Sequence, residues 1–290
     1  MKDLYTVREP KTTSEMSWKE ADAVLKETDI AILVVGATEQ HGPHNPMGVD
    51  TMAPLEMAKR AAQLLEKKGI KVLLTTPIPF GMSQHHLRFA GSISLQPETL
   101  ENIIFDIGTS LADQGVNKLI MIVGHTSVEQ EGCCAHAAVH LQSRYGMMTG
   151  IFQWSRELNS LIRENPGLKG KAKGFDAHSG EGETAFMLAI APNLVNKEAM
   201  VVSVTKEAEE RYRNPTTSTL RRGGHAGSRS GLMVPVPGPM EYSLNSLGHV
   251  GDPTVATAEL GNTRLDALAG RLAELVQSMR VLDERWKHVK

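Results

Sequence analysis

Cysteine is scarce in this chain: two in 290 residues, adjacent at Cys133 and Cys134. Neighbouring cysteines rarely close a structural disulfide, so the pair reads as two small buried residues in a reducing, cytoplasmic protein. Excess charge is lacking too. With 31 Lys and Arg against 33 Asp and Glu, no electrostatic argument favours nucleic acid or a membrane as partner. Long apolar runs are missing. Even the strand-like run Ile30 to Val35 is far short of the roughly 20 residues that a membrane-spanning helix needs. Nor does Met1 to Lys19 read as a secretory signal, since it carries several charges and no apolar centre. What remains is a globular composition long enough to bury a sizeable core, in one large α/β domain or two small ones.

Short apolar strands alternate with longer amphipathic helices. Ile30 to Val35, Lys71 to Thr75, Leu119 to Val123 and a segment near Met147 to Phe152 read as strands. Between them, Thr51 to Lys68, Leu100 to Leu111 and about Gln130 to Arg144 carry apolar residues at helical spacing. This succession predicts an α/β fold: a mainly parallel sheet covered by helices on both faces. Near the C-terminus, Leu265, Leu268, Leu272, Leu275, Met279 and Leu282 repeat at spacings of three and four. That seam suits packing within the subunit or across an interface.

In open parallel sheets, chemistry collects beyond the carboxyl ends of the strands. The segments that leave those ends are Glu39 to Asp50, Ser83 to His86, and His125. Six of the eleven histidines fall there if a later loop returns to the same edge: His41, His44, His85, His86, His125 and His178. Glu39, His41 and Asp50 are hard or borderline metal ligands within twelve residues otherwise rich in turn formers. Zinc, manganese and iron accept such mixed nitrogen and oxygen donors. Asp50 also suits the N-cap of the helix that follows it.

Beyond these, Val204 to Met240 has few apolar residues and many glycines. The stretch 204–240 reads as a mobile loop able to cover the site. Its Arg221, Arg222 and Arg229 would hold a carboxylate, phosphate or polyhydroxylated substrate, and a solvated surface loop accounts for the composition equally well.

Residues 39–51, E-Q-H-G-P-H-N-P-M-G-V-D-T, resemble the loop E-Q-H-G-x-H-x-P-x-x-x-D-T of the creatininase (creatinine amidohydrolase) family. Further segments follow in family order: Gly81 to Ser92, Gly124-His125, H-S-G-E-G-E-T at 178–184, and G-D-P-T-V-A-T-A-E at 251–259. The resemblance implies one three-layer α/β/α domain over residues 1–290, a hexamer or other homo-oligomer, and two divalent metal ions per subunit, zinc, manganese or iron. Carried over by position, Glu39 and His125 would bind one ion, His41 the second, and Asp50 both. Creatininase itself carries a glutamate where this chain has Ser127, so Glu181 is the expected remaining ligand, with Glu129 as an alternative and Glu183 turned elsewhere. His178 would carry the proton, while Ser83, His86, Arg221 and Arg222 would contact substrate. His85 replaces a usual glutamate, and Val123 the usual asparagine. The activity expected is hydrolysis of a small cyclic or linear amide by hydroxide generated at the two ions. The departures keep open a carbon–carbon hydrolase of a cyclic polyol ketone of inosose type and a formamide deformylase. A non-catalytic scaffold would have no physical need for the costly ligand set.

Overall fold

The computed structural model describes residues 7–173, 176–203 and 246–287, the side chains of 284–287 excepted. The loop at 204–240, with Arg221, Arg222 and Arg229, lies outside the described residues.

Four strands, β1 (Ile30–Val35), β2 (Leu73–Leu74), β3 (Lys118–Val123) and β4 (Met148–Gln153), form one parallel sheet in the order β2-β1-β3-β4. β1 pairs with β3 from Ile30↔Lys118 to Val35↔Val123, and β3 pairs with β4 from Lys118↔Met148 to Val123↔Gln153. Every residue of β1 and β3 is buried, as expected of strands covered on both faces. β2 is shorter than its apolar run suggests, because only Leu73 and Leu74 reach into register with β1 at this edge of the sheet.

The alternation of side chains divides the core in two. Ile30, Ile32, Val34, Ile120 and Ile122 face α2 (Val49–Glu66), α5 (Trp154–Glu164), α6 (Glu181–Ile190) and α7 (Ala258–Lys287). On the opposite face, Ala31, Leu33, Val35, Leu119, Met121 and Val123 meet α3 (Pro97–Asp113) and α4 (Val128–Tyr145), with α1 (Trp18–Leu25) packed alongside. The result is the three-layer α/β/α arrangement. Leu265, Leu268, Leu272 and Met279 of the C-terminal seam are buried in the first of these cores, so the seam serves packing within the subunit. Cys133 and Cys134 lie on the buried side of α4, where burial pushes the Cys133 thiol up to about 11 and Cys134 further. No helix among the described residues is long and apolar enough to cross a membrane.

Two close approaches place the carboxyl edge of the sheet. A Cβ on Gly36 would lie 2.2 Å from Thr51 Oγ1, and one on Gly124 would lie 2.0 Å from the Asp50 carbonyl oxygen. Glycine after β1 and after β3 therefore lets the first turn of α2 seat directly on the strand ends. Gln130 of α4 ties the same edge together: its Nε2 donates to the Val35 carbonyl at 2.8 Å, and its Oε1 accepts from Met82 N at 2.9 Å.

Candidate metal centre

Asp50 rides on that first turn of α2, whose N-cap is Gly48. It is thus not a cap, and its carboxylate is delivered between the loops that follow β1 and β3. Oδ2 lies 3.3 Å from His125 Nδ1, while Oδ1 lies 3.4 Å from His41 Nε2. Glu39 joins from the first loop, with Oε1 3.0 Å from His125 Nδ1. Glu183, on the first turn of α6, brings Oε2 to 3.8 Å from His41 Nε2. Three candidate ligand groups result, Glu39–Asp50–His125, His41–Asp50–Glu183 and Glu39–His41–His178, each with donor atoms within 4.8 Å of one another, and Asp50 belongs to the first two.

These separations fit metal ligation. Two ligands about 2.1 Å from one ion at tetrahedral angles stand about 3.4 Å apart. His41 Nδ1 donates to the Glu39 carbonyl at 3.1 Å, which fixes the tautomer and turns the lone pair of Nε2 toward Asp50 and Glu183. Buried His41 Nε2 has no hydrogen-bond partner among the described residues. Nitrogen and carboxylate donors crowded together in a buried site are the set expected around borderline divalent ions.

The electrostatics give the same answer. Burial disfavours a charged His41, yet Asp50, Glu183 and Glu39 outweigh it and push the imidazole up to about 10. Burial also opposes a charged His125, and Glu39 with Asp50 raises it well above the ordinary histidine range. Glu183 is pushed up to about 7, chiefly by burial, with His41 working against the shift. The three carboxylates demand positive charge at this point, either protons or divalent ions. Loading the site should therefore displace protons. Calorimetric titration of zinc at pH 7 in two buffers of different ionisation enthalpy should report about two to three protons released per chain, from His41, His125 and in part Glu183. Release of none would contradict this charge balance.

A second ring of groups holds the ligands. Ser83 Oγ donates to Glu39 Oε2 at 2.6 Å, and His86 Nε2 lies 3.2 Å from Glu39 Oε1. Both residues, expected against substrate, here abut a carboxylate of the cluster. Gln40, which the sequence reading passed over, donates from Nε2 to His86 Nδ1 at 2.8 Å, and its own carbonyl accepts from His178 Nε2 at 2.8 Å. Gln40 Nε2 also lies 3.1 Å from His178 Nε2, but its two hydrogens go to His86 Nδ1 and the Gly248 carbonyl. A carbonyl cannot donate, so the His178 proton sits on Nε2 and Nδ1 is its basic nitrogen. Burial, with His41 and His86 adding repulsion, holds His178 well below the ordinary histidine range. Its ring is 4.5 Å from that of His41. Next to it Ser179 has φ +52°, a costly conformation for a non-glycine residue, and its N donates to Glu183 Oε2 at 2.6 Å. His44 is buried against the Ser179 carbonyl and Thr184, and His85 stacks on His125 with ring centroids 5.3 Å apart.

Glu181 is not brought to the cluster. Its carboxylate accepts from Lys171 N at 2.7 Å and Ala172 N at 3.0 Å, which turns it to the far side of α6. Glu183, two residues on and so about 200° around the helix, faces inward instead. Glu129 sits in the first turn of α4 and joins none of these groups. Ser127 caps α4, accepting from Gln130 N at 3.1 Å.

A parallel α/β/α sandwich with a carboxylate–imidazole cluster at its carboxyl edge is the class that this fold and site define. Residues 14–276 match the creatininase family, described as creatinine amidohydrolase. The chain belongs to the creatininase family, whose members are hydrolases. It is 27% identical to a mycofactocin precursor peptide peptidase of Mycobacterium ulcerans, over 79% of this chain and 77% of that protein. It is also 27% identical to a 3-dehydro-scyllo-inosose hydrolase of Thermotoga maritima, over 91% of this chain and 82% of that one. A solved creatinine amidohydrolase superposes with a TM-score of 0.70 at 22% identity, covering 94% of this chain and 98% of its own. Other solved creatininases of this fold include a Zn–Zn form and a manganese form.

Proposed function

We propose that this chain is a two-metal hydrolase of a small cyclic or linear amide. The observation that carries the proposal is Asp50 standing at the junction of two ligand groups, within 3.4 Å of both His41 and His125. Glu39, Asp50 and His125 would hold one divalent ion, and His41, Asp50 and Glu183 the other. Zinc or manganese there would acidify water and polarise a carbonyl. The chain's own groups supply the rest. His178, uncharged and held by Gln40, accepts the proton of the attacking water at Nδ1 and returns it to the leaving nitrogen. Ser83 and His86 keep Glu39 oriented and charged, and the strained backbone at Ser179 holds Glu183 in place.

Amide hydrolysis is the chemistry named for the peptidase and amidohydrolase relatives. A second reading draws on the relative matched over 91% of this chain, an inosose hydrolase. In it, the same attack on a carbonyl expels an enolate carbon, and His178 protonates carbon instead of nitrogen. A metal-supplemented screen of lactams, formamides, short peptides and inososes, read by product mass, separates the two. Release of an amine or ammonia supports the amide reading. Turnover of inososes alone would sink it.

The choice of Glu183 over Glu181 has its own test. Glu183→Gln should lower bound metal from about two ions per chain toward one, and activity by about 10²-fold or more. Glu181→Gln should keep both ions and lose about 1–2 kcal/mol of stability, through weaker bonds to the Lys171 and Ala172 amides. Elemental analysis and chemical denaturation read the contrast, and the reverse pattern would restore Glu181 as the ligand.

A further inference from the structure

Ser179 is fully buried and stands between His178 and Gly180, the N-cap of α6. Its φ of +52° lies in the left-handed region that favours glycine. A non-glycine residue keeps that conformation only where its surroundings over-determine it. Here they do, because each polar group of Ser179 is engaged. Its N donates to Glu183 Oε2 at 2.6 Å, and its hydroxyl donates to the His41 carbonyl. The hydroxyl oxygen accepts from Asn45 Nδ2 at 2.9 Å, and the Ser179 carbonyl accepts from His44 Nε2 at 3.0 Å.

His41 and Glu183 are the members of one ligand group that Glu39–Asp50–His125 does not contain. They come from separate elements, the loop after β1 and the first turn of α6, and Ser179 bonds to both. Asn45 Nδ2 and His44 Nε2 also reach Thr184 Oγ1, each at 3.0 Å, so the loop grips the chain on both sides of Glu183 in sequence. Hydrogen bonds of this kind, made behind the ligands, hold donor atoms from different elements at a fixed separation. Glu39 has its own support, accepting from Ser83 Oγ at 2.6 Å. Ser83 and Ser179 thus serve different ligand groups.

We propose that Ser179 is the positioning residue for the ion of His41, Asp50 and Glu183, an assignment that rests on the two-metal reading. Its hydroxyl and amide set His41 against Glu183, whose facing atoms stand 3.8 Å apart. Affinity for this ion therefore depends on Ser179, and affinity for the ion of Glu39, Asp50 and His125 does not. Because Ser179 follows His178 directly, the same clamp keeps the proton carrier in register with these ligands.

The test titrates zinc calorimetrically into the metal-free, full-length protein, the step lost in Glu183→Gln marking the ion in question. Ser179→Ala should weaken that step about tenfold and leave the other within about twofold. Ser179→Gly should do the same, since it lacks the hydroxyl yet adopts φ +52° without strain. It keeps the test decisive if Ser179→Ala fails to fold. Ser83→Ala should give the reverse pattern and weaken the step that Glu183→Gln retains. A merely structural loss would weaken both steps alike and cannot produce this crossover. With two steps in the wild type, an unaltered Glu183-dependent step in either Ser179 variant, or equal weakening of both steps, would overturn the clamp alone. Ser83→Ala acting on the Glu183-dependent step would overturn the division between the two serines and the clamp with it. A wild type with a single step would sink the two-metal reading and the clamp together.

Discussion

Asp50→Asn is expected to cost about 10³-fold or more in hydrolytic activity and to leave less than one tightly bound divalent ion per chain. The size follows from position. Glu39, His125, His41 and Glu183 each belong to only one of the two groups that share Asp50, whereas this carboxylate sends Oδ2 to His125 and Oδ1 to His41. Asparagine has nearly the same shape, so α2 should seat as before. It cannot accept at both ends, and it removes one of the charges that hold His41 and His125 cationic. Metal content by elemental analysis and the rise in melting temperature on adding zinc provide the readouts. The wild type should gain stability with metal by mass action, and the variant should gain little. Activity within tenfold of wild type would remove Asp50 from the centre of the mechanism.

The stability of the metal-free protein should depend on pH through the same groups. His41 has a folded pKa of about 10, above its unfolded value near 6.5. Its contribution is therefore complete below about pH 6.5 and is lost as pH rises toward 10. Denaturant midpoints of metal-free protein should fall across that window. Added divalent ions, which replace the protons, should flatten the decline. A midpoint that climbs from pH 7 to 10 would show that these imidazoles are not held cationic.

Much of this was legible in the chain. Apolar runs at 30–35 and 119–123 mark the two central strands, and the parallel topology sends both carboxyl ends to one edge. Glu39, His41, Asp50 and His125 could be gathered on that basis because each lies just beyond a strand. Glu181 and Glu183 could not be ranked in the same way. Two residues apart on one helix, they must face different directions, and the roll of α6 decides which looks inward. That roll is set by Asp176 bonding the Glu181 and Gly182 amides and by the Lys171 and Ala172 amides holding Glu181. These are contacts of a loop with no periodicity to read. Gln40 was missed for another reason: in a loop crowded with ligands, a neutral amide gives no signal until its partners His86 and His178 are placed.

Gly124→Ala should be the most damaging substitution away from the charged groups. An added methyl would lie 2.0 Å from the Asp50 carbonyl oxygen and 3.0 Å from that of Val35. Neither neighbour can yield easily. Val35 ends a fully buried strand, and Asp50 lies in the first turn of a helix whose inner face is packed on the sheet. Relief requires the amino end of α2 to lift from the strand ends, which costs about 2–4 kcal/mol and carries Asp50 away from His125. Stability and metal content should therefore fall together. Gly132→Ala supplies the contrast, since a Cβ there meets nothing within 4 Å and the residue lies inside α4. It should stabilise the protein by about 0.5–1 kcal/mol, as alanine does for glycine within a helix, with metal content unchanged. If Gly124→Ala also folds normally and holds its metal, the seating of α2 on the strand ends is not what places Asp50.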